Sequence, residues 1–472
     1  MKTLATAVLL MMAIEFRLMS AQPLPPVAAV KTNIQYVDAK PILETLRENL
    51  LPSELRVMTR AERELAWPAW VSRHDSTIRA RLERGDEESV VNFLLFGTTF
   101  TELARATERD LAQFAGQASA APGSIIHRRI EDLIAGIASP GTDERLQFAR
   151  QVVGRKGFDP TTAAGKNEIR RDFNESLMSF SAEIAILSAR RLNDPSVELL
   201  EKITRFRDRG LSSDTSIFAD FASEQALEAI KAEGLLGAGS VRRIAIVGPG
   251  LDFTDKHEGY DFYPQQTIQP FAVIDSLLRL GLATPDQYRV TTFDLSPRIN
   301  HHLEAARQRA RAGDAYTLEL PRNMDPPWTP SLVSYWERLG DRIGEGVKAV
   351  AVPPGAGRVQ VRAVRVRPSV VVSIVPEDLN IVLQRLEPLG ADERFDLIVA
   401  TNILVYYDVF EQSLALANVA KMLRPGGFFL TNNGIFELPT IPMDWVGQTD
   451  VTDMRLPGIG DTGDRVFWYR RQ

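Results

Sequence analysis

The residues best suited to chemistry in this sequence lie just beyond short apolar segments in its second half. Two glycines and three polar side chains share this placement: Gly248, Gly250, Asp294, Asp378 and Asn402. If the segments are parallel strands, their carboxyl ends meet at one edge of a sheet, where open α/β folds bind their ligands. The sequence therefore predicts one binding crevice to which all five residues contribute.

Each residue type suits a particular contact in such a crevice. Gly248 and Gly250 let the backbone approach a ligand closely, and the following helix offers its first N–H groups. Asp294 can accept two hydrogen bonds from the diol of a ribose, or it can cap the helix that begins near Pro297. We expect Asp378 to accept from an exocyclic amine, and Asn402 to lie beside a substrate or cofactor tail.

The glycine turn does not match the dinucleotide fingerprint. Phe253 occupies the position of the third glycine, and no acidic residue follows at a distance of about 20 residues. A nicotinamide-linked oxidoreductase is disfavoured for this reason. Four side chains near the strand ends are candidates for a catalytic base, and none is assigned: Tyr406, Tyr407, Asp408 and His257. The two tyrosines could instead pack over a cation or cap the core.

The clearest unit that positions these residues spans 395–434. Its pattern predicts a strand through Leu397-Ile398-Val399, a helix from Val409 to Leu423, a stop at Arg424-Pro425-Gly426-Gly427 and a strand from Phe428. The same sequence patterns predict further elements in the second half of the chain: strands Ile244–Val247, Tyr288–Phe293, Val370–Ile374 and Arg465–Arg470, and a helix Phe271–Leu280. Alternating strands and helices indicate a doubly wound α/β sheet.

The rest of the chain divides into regions of different composition. Residues 39–236 carry helical periodicity and predict an all-helical domain in front of the sheet domain, which spans 240–472. Within the latter, an inserted β-hairpin region is expected at about 303–368. Residues 22–38 form a proline-rich linker, and residues 1–21 have the apolar run and small residues of an export signal, although an N-terminal helix is the alternative.

Composition narrows the classes of function. The 472 residues include no cysteine, so disulfides and thiolate chemistry are excluded, and the five histidines form no metal-binding motif. The formal net charge of −6 does not indicate the basic surface that binds nucleic acid. No apolar segment is long enough to span a membrane. We expect an exported protein if residues 1–21 act as a signal, and a cytoplasmic one otherwise.

Two segments resemble a known family. FDLIVATNILVYYD and MLRPGGFFLT are similar to the fourth- and fifth-strand motifs of class I S-adenosylmethionine-dependent methyltransferases, nearest to the chemotaxis-receptor glutamate methyltransferases. RVQVRAVRVRPSVVVSIVPEDLNIV resembles their inserted β-subdomain running into strand three. The resemblance covers about half of the chain and implies a Rossmann-like methyltransferase sheet. It implies O- or N-methyl transfer to an unknown small-molecule or protein acceptor.

By this resemblance the five residues would bind S-adenosylmethionine. Gly248 and Gly250 would line its methionine end, Asp294 would hold the ribose, Asp378 would lie near the adenine and Asn402 beside the reacting methyl group. The first loop departs from the family pattern, because its acidic residue, Asp252, lies after the glycines. A degenerate fold that serves as an exported binding module without catalysis is therefore the alternative.

Overall fold

The computed structural model describes residues 29–115, 121–190, 210–212, 214, 216–253, 260–456 and 460–472. The predicted export signal at 1–21, residues 22–28 of the predicted linker and His257 lie outside these residues. The strands in chain order are β1 (Val30–Asn33), β2 (Arg243–Val247), β3 (Arg289–Asp294), β4 (Tyr316–Asn323), β5 (Gly344–Val347), β6 (Val359–Val366), β7 (Ile374–Asp378), β8 (Gln384–Glu387), β9 (Phe395–Ala400), β10 (Leu423–Thr431), β11 (Met443–Leu456) and β12 (Gly460–Arg471).

The helices alternate with these strands only in the second half of the chain. In chain order they are α1 (Tyr36–Thr45), α2 (Ser53–Arg56), α3 (Arg60–Phe96), α4 (Glu108–Ala115), α5 (Ile125–Ala138), α6 (Glu144–Arg155), α7 (Ala163–Arg190), α8 (Ile217–Ala232), α9 (Gln269–Arg279), α10 (Pro297–Arg311), α11 (Pro330–Arg338), α12 (Pro368–Val372) and α13 (Val409–Met422). None of the helices in the described part of the chain combines the length and apolarity that crossing a bilayer requires.

A seven-stranded sheet with the order β7-β3-β2-β9-β10-β12-β11 forms the centre of the fold. The pairs from β7 to β10 are parallel, whereas β12 is antiparallel to both of its neighbours. From β2, the strands β3 and β7 are added on one side of the sheet. The later strands β9, β10 and β12 are added on the other side. This arrangement is a topological switch point between β2 and β9, as in doubly wound folds. The predicted α/β class with a mostly parallel sheet is confirmed.

Continuous apolar runs produce the central strands because both faces of the sheet are covered. All six positions of β9 are buried. Along β2, Ile244 and Ile246 belong to one core cluster, while Ala245 and Val247 belong to a second cluster on the opposite face. Helices α8, α9 and α10 supply the first cluster, and α1, α13 and the first half of α3 supply the second.

The helical half is not one separate domain, which corrects part of the prediction for 39–236. Trp67 and Trp70 on α3 are buried, and Trp70 makes an edge contact with Phe410 of α13. His74 Nε2 lies 2.8 Å from Glu411 Oε1 at the start of α13. Among the described residues, the second half of α3 and helices α4–α7 form a third core cluster, which also includes Phe253 from the loop after β2. Helical periodicity shows that a helix buries one face, but it does not show against what.

Helix α3 joins these two regions. Its 37 residues correspond to a rod of roughly 55 Å. Thr59 and Glu62 form a reciprocal capping box at the start of the helix, and Gly97 caps its C-terminal end. The N-terminal half of α3 packs on the sheet and the C-terminal half packs in the helical core. The rod therefore fixes the small helical core against the sheet.

Two predicted elements differ from the structure. The run Val370–Ile374 was expected to form the third strand, but it is divided between the short helix α12 and strand β7. Pro368 at the first turn of α12 suits a helix start, because its fixed φ matches a helix and its missing N–H is not needed there. The inserted region holds a three-stranded sheet with the order β4-β6-β5 instead of a hairpin.

The unit at 395–434 forms as predicted. Helix α13 covers Val409–Met422, between β9 and β10, which are parallel and adjacent. The register of this pair shifts between Leu423 and Phe428, where Gly426 has a φ of 76°. The four residues that stop the helix thus form an irregular start of β10.

Candidate ligand-binding cleft

A cavity of about 1030 Å³ lies at the carboxyl edge of the sheet. Its walls come from the ends of β2, β3, β9 and β10 and from the hairpin of β11 and β12. Four of the five predicted site residues line it: Gly248, Gly250, Asp294 and Asn402. The cavity is therefore the crevice expected at the switch point of the sheet.

Gly248 must be a glycine for two reasons. Its φ is 65°, in the left-handed region where other residues are strained. A Cβ atom added there would lie 2.1 Å from Cδ1 of Ile403. The N–H of Gly248 donates to the carbonyl oxygen of Phe293 at 2.8 Å, which ties the turn to the end of β3. Gly250 has a φ of 69°, so both glycines shape a tight turn on the cavity wall.

Asp294 is the last residue of β3 and is only 8% exposed. Its Oδ1 accepts from the backbone N–H of Ser296 at 2.7 Å, and Ser296 is the residue that caps α10. Burial raises the pKa of Asp294 to about 7, although the N–H of Ser296 and the nearby Arg298 oppose the shift. A ligand that donates hydrogen bonds or carries positive charge would favour the ionised form.

Asn402 follows β9 and lines the cleft. Its φ of 59° is one of two positive values among the non-glycine residues described. Its backbone N–H donates to Oδ1 of Asn432 at 2.8 Å, and the amide of Asn432 donates back to its side chain. Asparagine tolerates this conformation better than most residues, and such strain is concentrated at functional sites.

Asp378 is not brought into the cleft. It pairs with Arg79 at 2.8 Å and with Lys31 at 3.6 Å, and its side chain is 52% exposed. Its Cα atom is in register with that of Asp294, but β7 is the edge strand, so the carboxylate reaches α3 and β1 instead. Leu379 and Ile381, which follow it, line the cavity and were not predicted.

The candidate bases have structural partners. The carboxylate of Asp408 accepts from the N–H of Glu411 and caps α13. Tyr406 and Tyr407 are buried in the cavity wall, and burial raises the pKa of Tyr407. Arg81 donates to the carbonyl oxygen of Tyr406 at 2.7 Å and lies over the ring of Tyr407. These contacts give structural roles to the three candidates that the structure describes.

The loop after the glycine turn is held by the helical core. Arg145 of α6 donates to the carbonyl oxygens of Phe253, Tyr263 and Asp252 on both sides of residues 254–259. Arg298, at the start of α10, lies 4.0 Å from the ring centre of Phe148. Sequence patterns could not identify these partners, because the contacts join residues more than 100 positions apart.

The β11–β12 hairpin forms a wall that the sequence did not predict. Its contributions include Asp450, Asp461, Asp464 and Arg465. Gln269, at the start of α9, also lines the cavity and donates to Oγ1 of Thr401 at 2.7 Å. The alternation of polar and apolar residues was a weak signal that could have identified the hairpin.

Comparisons with known proteins give only remote likenesses. No protein-family model matches the chain, and no curated protein matches it. Among solved structures, N-methyltransferase NodS from Bradyrhizobium japonicum WM9 is 15% identical over 53% of this chain and 97% of its own, with a TM-score of 0.24. Glycopeptide N-methyltransferase MtfA with S-adenosyl-L-homocysteine is 13% identical over 60% and 99%, with a TM-score of 0.26. Likenesses at these scores carry no weight for this chain's activity.

Proposed function

We propose that this chain is an S-adenosylmethionine-dependent methyltransferase that transfers a methyl group to oxygen or nitrogen. The observation that carries the proposal is the meeting of Gly248, Gly250 and Asp294 in one large cavity at the switch point of the sheet. The segments that resemble class I methyltransferases form β9, β10 and the turn that holds Asn402. We propose the likeness to the chemotaxis-receptor methyltransferases for the sheet alone, and the receptor substrate of that family is not part of the proposal.

The residues present fit the cofactor. The backbone of the glycine turn could contact the methionine end of the cofactor directly, because no side chain stands between them. There is no room for a side chain at Gly248, where a Cβ atom would meet Ile403. The carboxylate of Asp294 can accept from both ribose hydroxyls. Asn402 would lie beside the methyl group, which the bound cofactor supplies as an electrophile on its sulfonium sulfur. Asp378 is left out of this proposal, and Leu379 and Ile381 provide an apolar wall for the adenine ring instead.

Methyl transfer requires mainly alignment of the two partners and exclusion of water. The buried rings of Tyr406 and Tyr407 line the cleft, and the hydrogen bonds between Asn402 and Asn432 hold the turn after β9. These residues would keep this wall of the cleft in place while the ligand is bound. Transfer to nitrogen does not need a protein base, because the proton of an amine can pass to water.

Calorimetric titration with S-adenosylmethionine and S-adenosylhomocysteine tests the proposal. The wild-type chain should bind both, and Asp294→Asn should weaken binding by about 10- to 100-fold through the loss of hydrogen bonds to a charged group. Asp378→Asn is the matched control, because it changes a carboxylate at the same register that lies outside the cavity. No heat with either compound, or an equal loss in both variants, would contradict the proposal.

A further inference from the structure

The cleft is larger than one small ligand needs. Its volume of about 1030 Å³ reaches the upper end of the range of roughly 300–1000 Å³ that is typical of small-molecule sites. The proposed cofactor residues lie at the ends of β2, β3 and β9. The hairpin of β11 and β12 forms another wall of the cavity, and a second ligand would lie against this hairpin.

The charges in this wall have one predominant sign. Among the described residues that line the whole cavity, five are aspartates, one is an arginine and none is a lysine. Asp450, Asp461 and Asp464 come from the hairpin, and Asp214 comes from the segment before α8. The single Arg465 is already ion-paired with Asp450. A concave site with such a lining raises the local concentration of cations.

Gln269 supplies an independent sign of a hydrogen-bond donor in the ligand. Its side chain lies in the cavity wall and is only 4% exposed. Its amide nitrogen donates to Thr401, while its amide oxygen has no hydrogen-bond partner among the described residues. A buried acceptor without a partner costs free energy, and an N–H group of a ligand could satisfy it after a small movement of the side chain.

From these observations we propose that the methyl acceptor is a small molecule with a protonated amine, held between the β11–β12 hairpin and the cofactor. This inference rests on the proposed methyltransferase function. After the amine loses a proton to water, its lone pair forms a carbon–nitrogen bond with the methyl carbon. The carbon–sulfur bond breaks with its electron pair on sulfur, which leaves a thioether and a methylated ammonium group.

Saturation-transfer NMR on the full chain with bound S-adenosylhomocysteine tests the acceptor class without relying on turnover. Three matched pools are offered, in which straight-chain compounds of two to eight carbons carry amine, hydroxyl or carboxylate groups. Members of the amine pool should bind, and the alcohols and carboxylates of the same length should not. Amine binding should weaken as salt is raised, because Asp450 and Asp461 of the hairpin are exposed to solvent.

Three variants distinguish the carboxylates of the hairpin wall from general surface charge. Asp461→Asn should weaken amine binding by about 2- to 5-fold, the effect of one exposed ion pair, and the double variant with Asp464→Asn should weaken it further. Asp444→Asn removes a carboxylate from the same hairpin outside the cavity lining and should leave binding unchanged.

Equal binding of alcohols or carboxylates would overturn the proposal, as would the absence of amine binding while S-adenosylhomocysteine binds. An equal loss of amine binding in the Asp444 and Asp461 variants would also overturn it. If amines bind but S-adenosylhomocysteine does not, the methyltransferase function fails and cation recognition by the cleft stands alone.

Discussion

Replacing Gly248 with alanine should damage both the stability of the sheet and its ligand site. The new Cβ atom would lie 2.1 Å from Cδ1 and 2.9 Å from Cγ1 of Ile403. It would also hold an alanine at a φ of 65°. Gly281 offers a matched comparison, because its φ is 66° and a Cβ atom there would meet nothing within 4 Å.

The two substitutions should differ by the steric term alone. Left-handed backbone costs an L-residue roughly 1–2 kcal/mol, and both variants incur this cost. Overpacking against Ile403 should add about 1–3 kcal/mol to Gly248→Ala only. Because the nearest atom belongs to the end of a side chain, Ile403→Val should restore part of the loss in the double variant.

The free energies of unfolding can be measured by urea denaturation followed by circular dichroism, and ligand affinity by calorimetry with S-adenosylhomocysteine. We expect Gly248→Ala to be less stable than Gly281→Ala and to bind more weakly, while Gly281→Ala binds like the wild type. Equal losses of stability and unchanged binding in both variants would refute the reasoning about the glycine turn.

Three further predictions address the buried charges. Burial raises the folded-state pKa of Asp294 from 3.8 to about 7, so the contribution of this residue to stability falls as pH rises from about 4 to 7. In thermal melts, Asp294→Asn should therefore be more stable than the wild type at pH 8, and this difference should disappear near pH 4. A difference that does not change with pH would contradict the prediction. Arg129 is fully buried and donates to four backbone carbonyl oxygens, so Arg129→Met should lower the free energy of unfolding by at least about 3 kcal/mol, against little change for the exposed Arg128→Met on the same helix. Arg145→Met should weaken S-adenosylhomocysteine binding by about 10-fold in calorimetry, since the loss of the hydrogen bonds that hold the loop costs about one or two kcal/mol. Arg150→Met, on the exposed face of α6, should leave the affinity unchanged. Equal affinity of the two variants would show that Arg145 does not contribute to the site.

The elements of the sheet could be predicted because their signals are local. A buried run such as Leu397-Ile398-Val399 indicates a strand covered on both faces, and Pro425 marks a helix stop wherever the segment is placed. The positions of Gly248, Asp294 and Asn402 follow from the same rule, since parallel strands end at one edge. The predicted crevice is therefore largely the observed one.

The misplaced predictions depended on partners distant in sequence. Asp378 ends a strand as expected, but its partners Arg79 and Lys31 lie 299 and 347 residues away in the chain and hold it outside the cleft. The division of α3 between two cores follows from the packing of Trp70 against Phe410, which no periodicity reveals. The predicted strand at Arg465–Arg470 forms part of β12, but the hairpin was missed because polar and apolar residues alternate only weakly in β11.

The contact between α3 and α13 has a consequence for synthesis of the chain. His74 and Glu411 are separated by 337 residues, which a ribosome adds in roughly 20–70 s. During this interval Trp67 and Trp70 have no sheet to pack against. The first half of the chain therefore emerges with an aromatic surface that stays exposed until β9 and α13 follow. Shielding of this surface during synthesis would protect the chain from association through it.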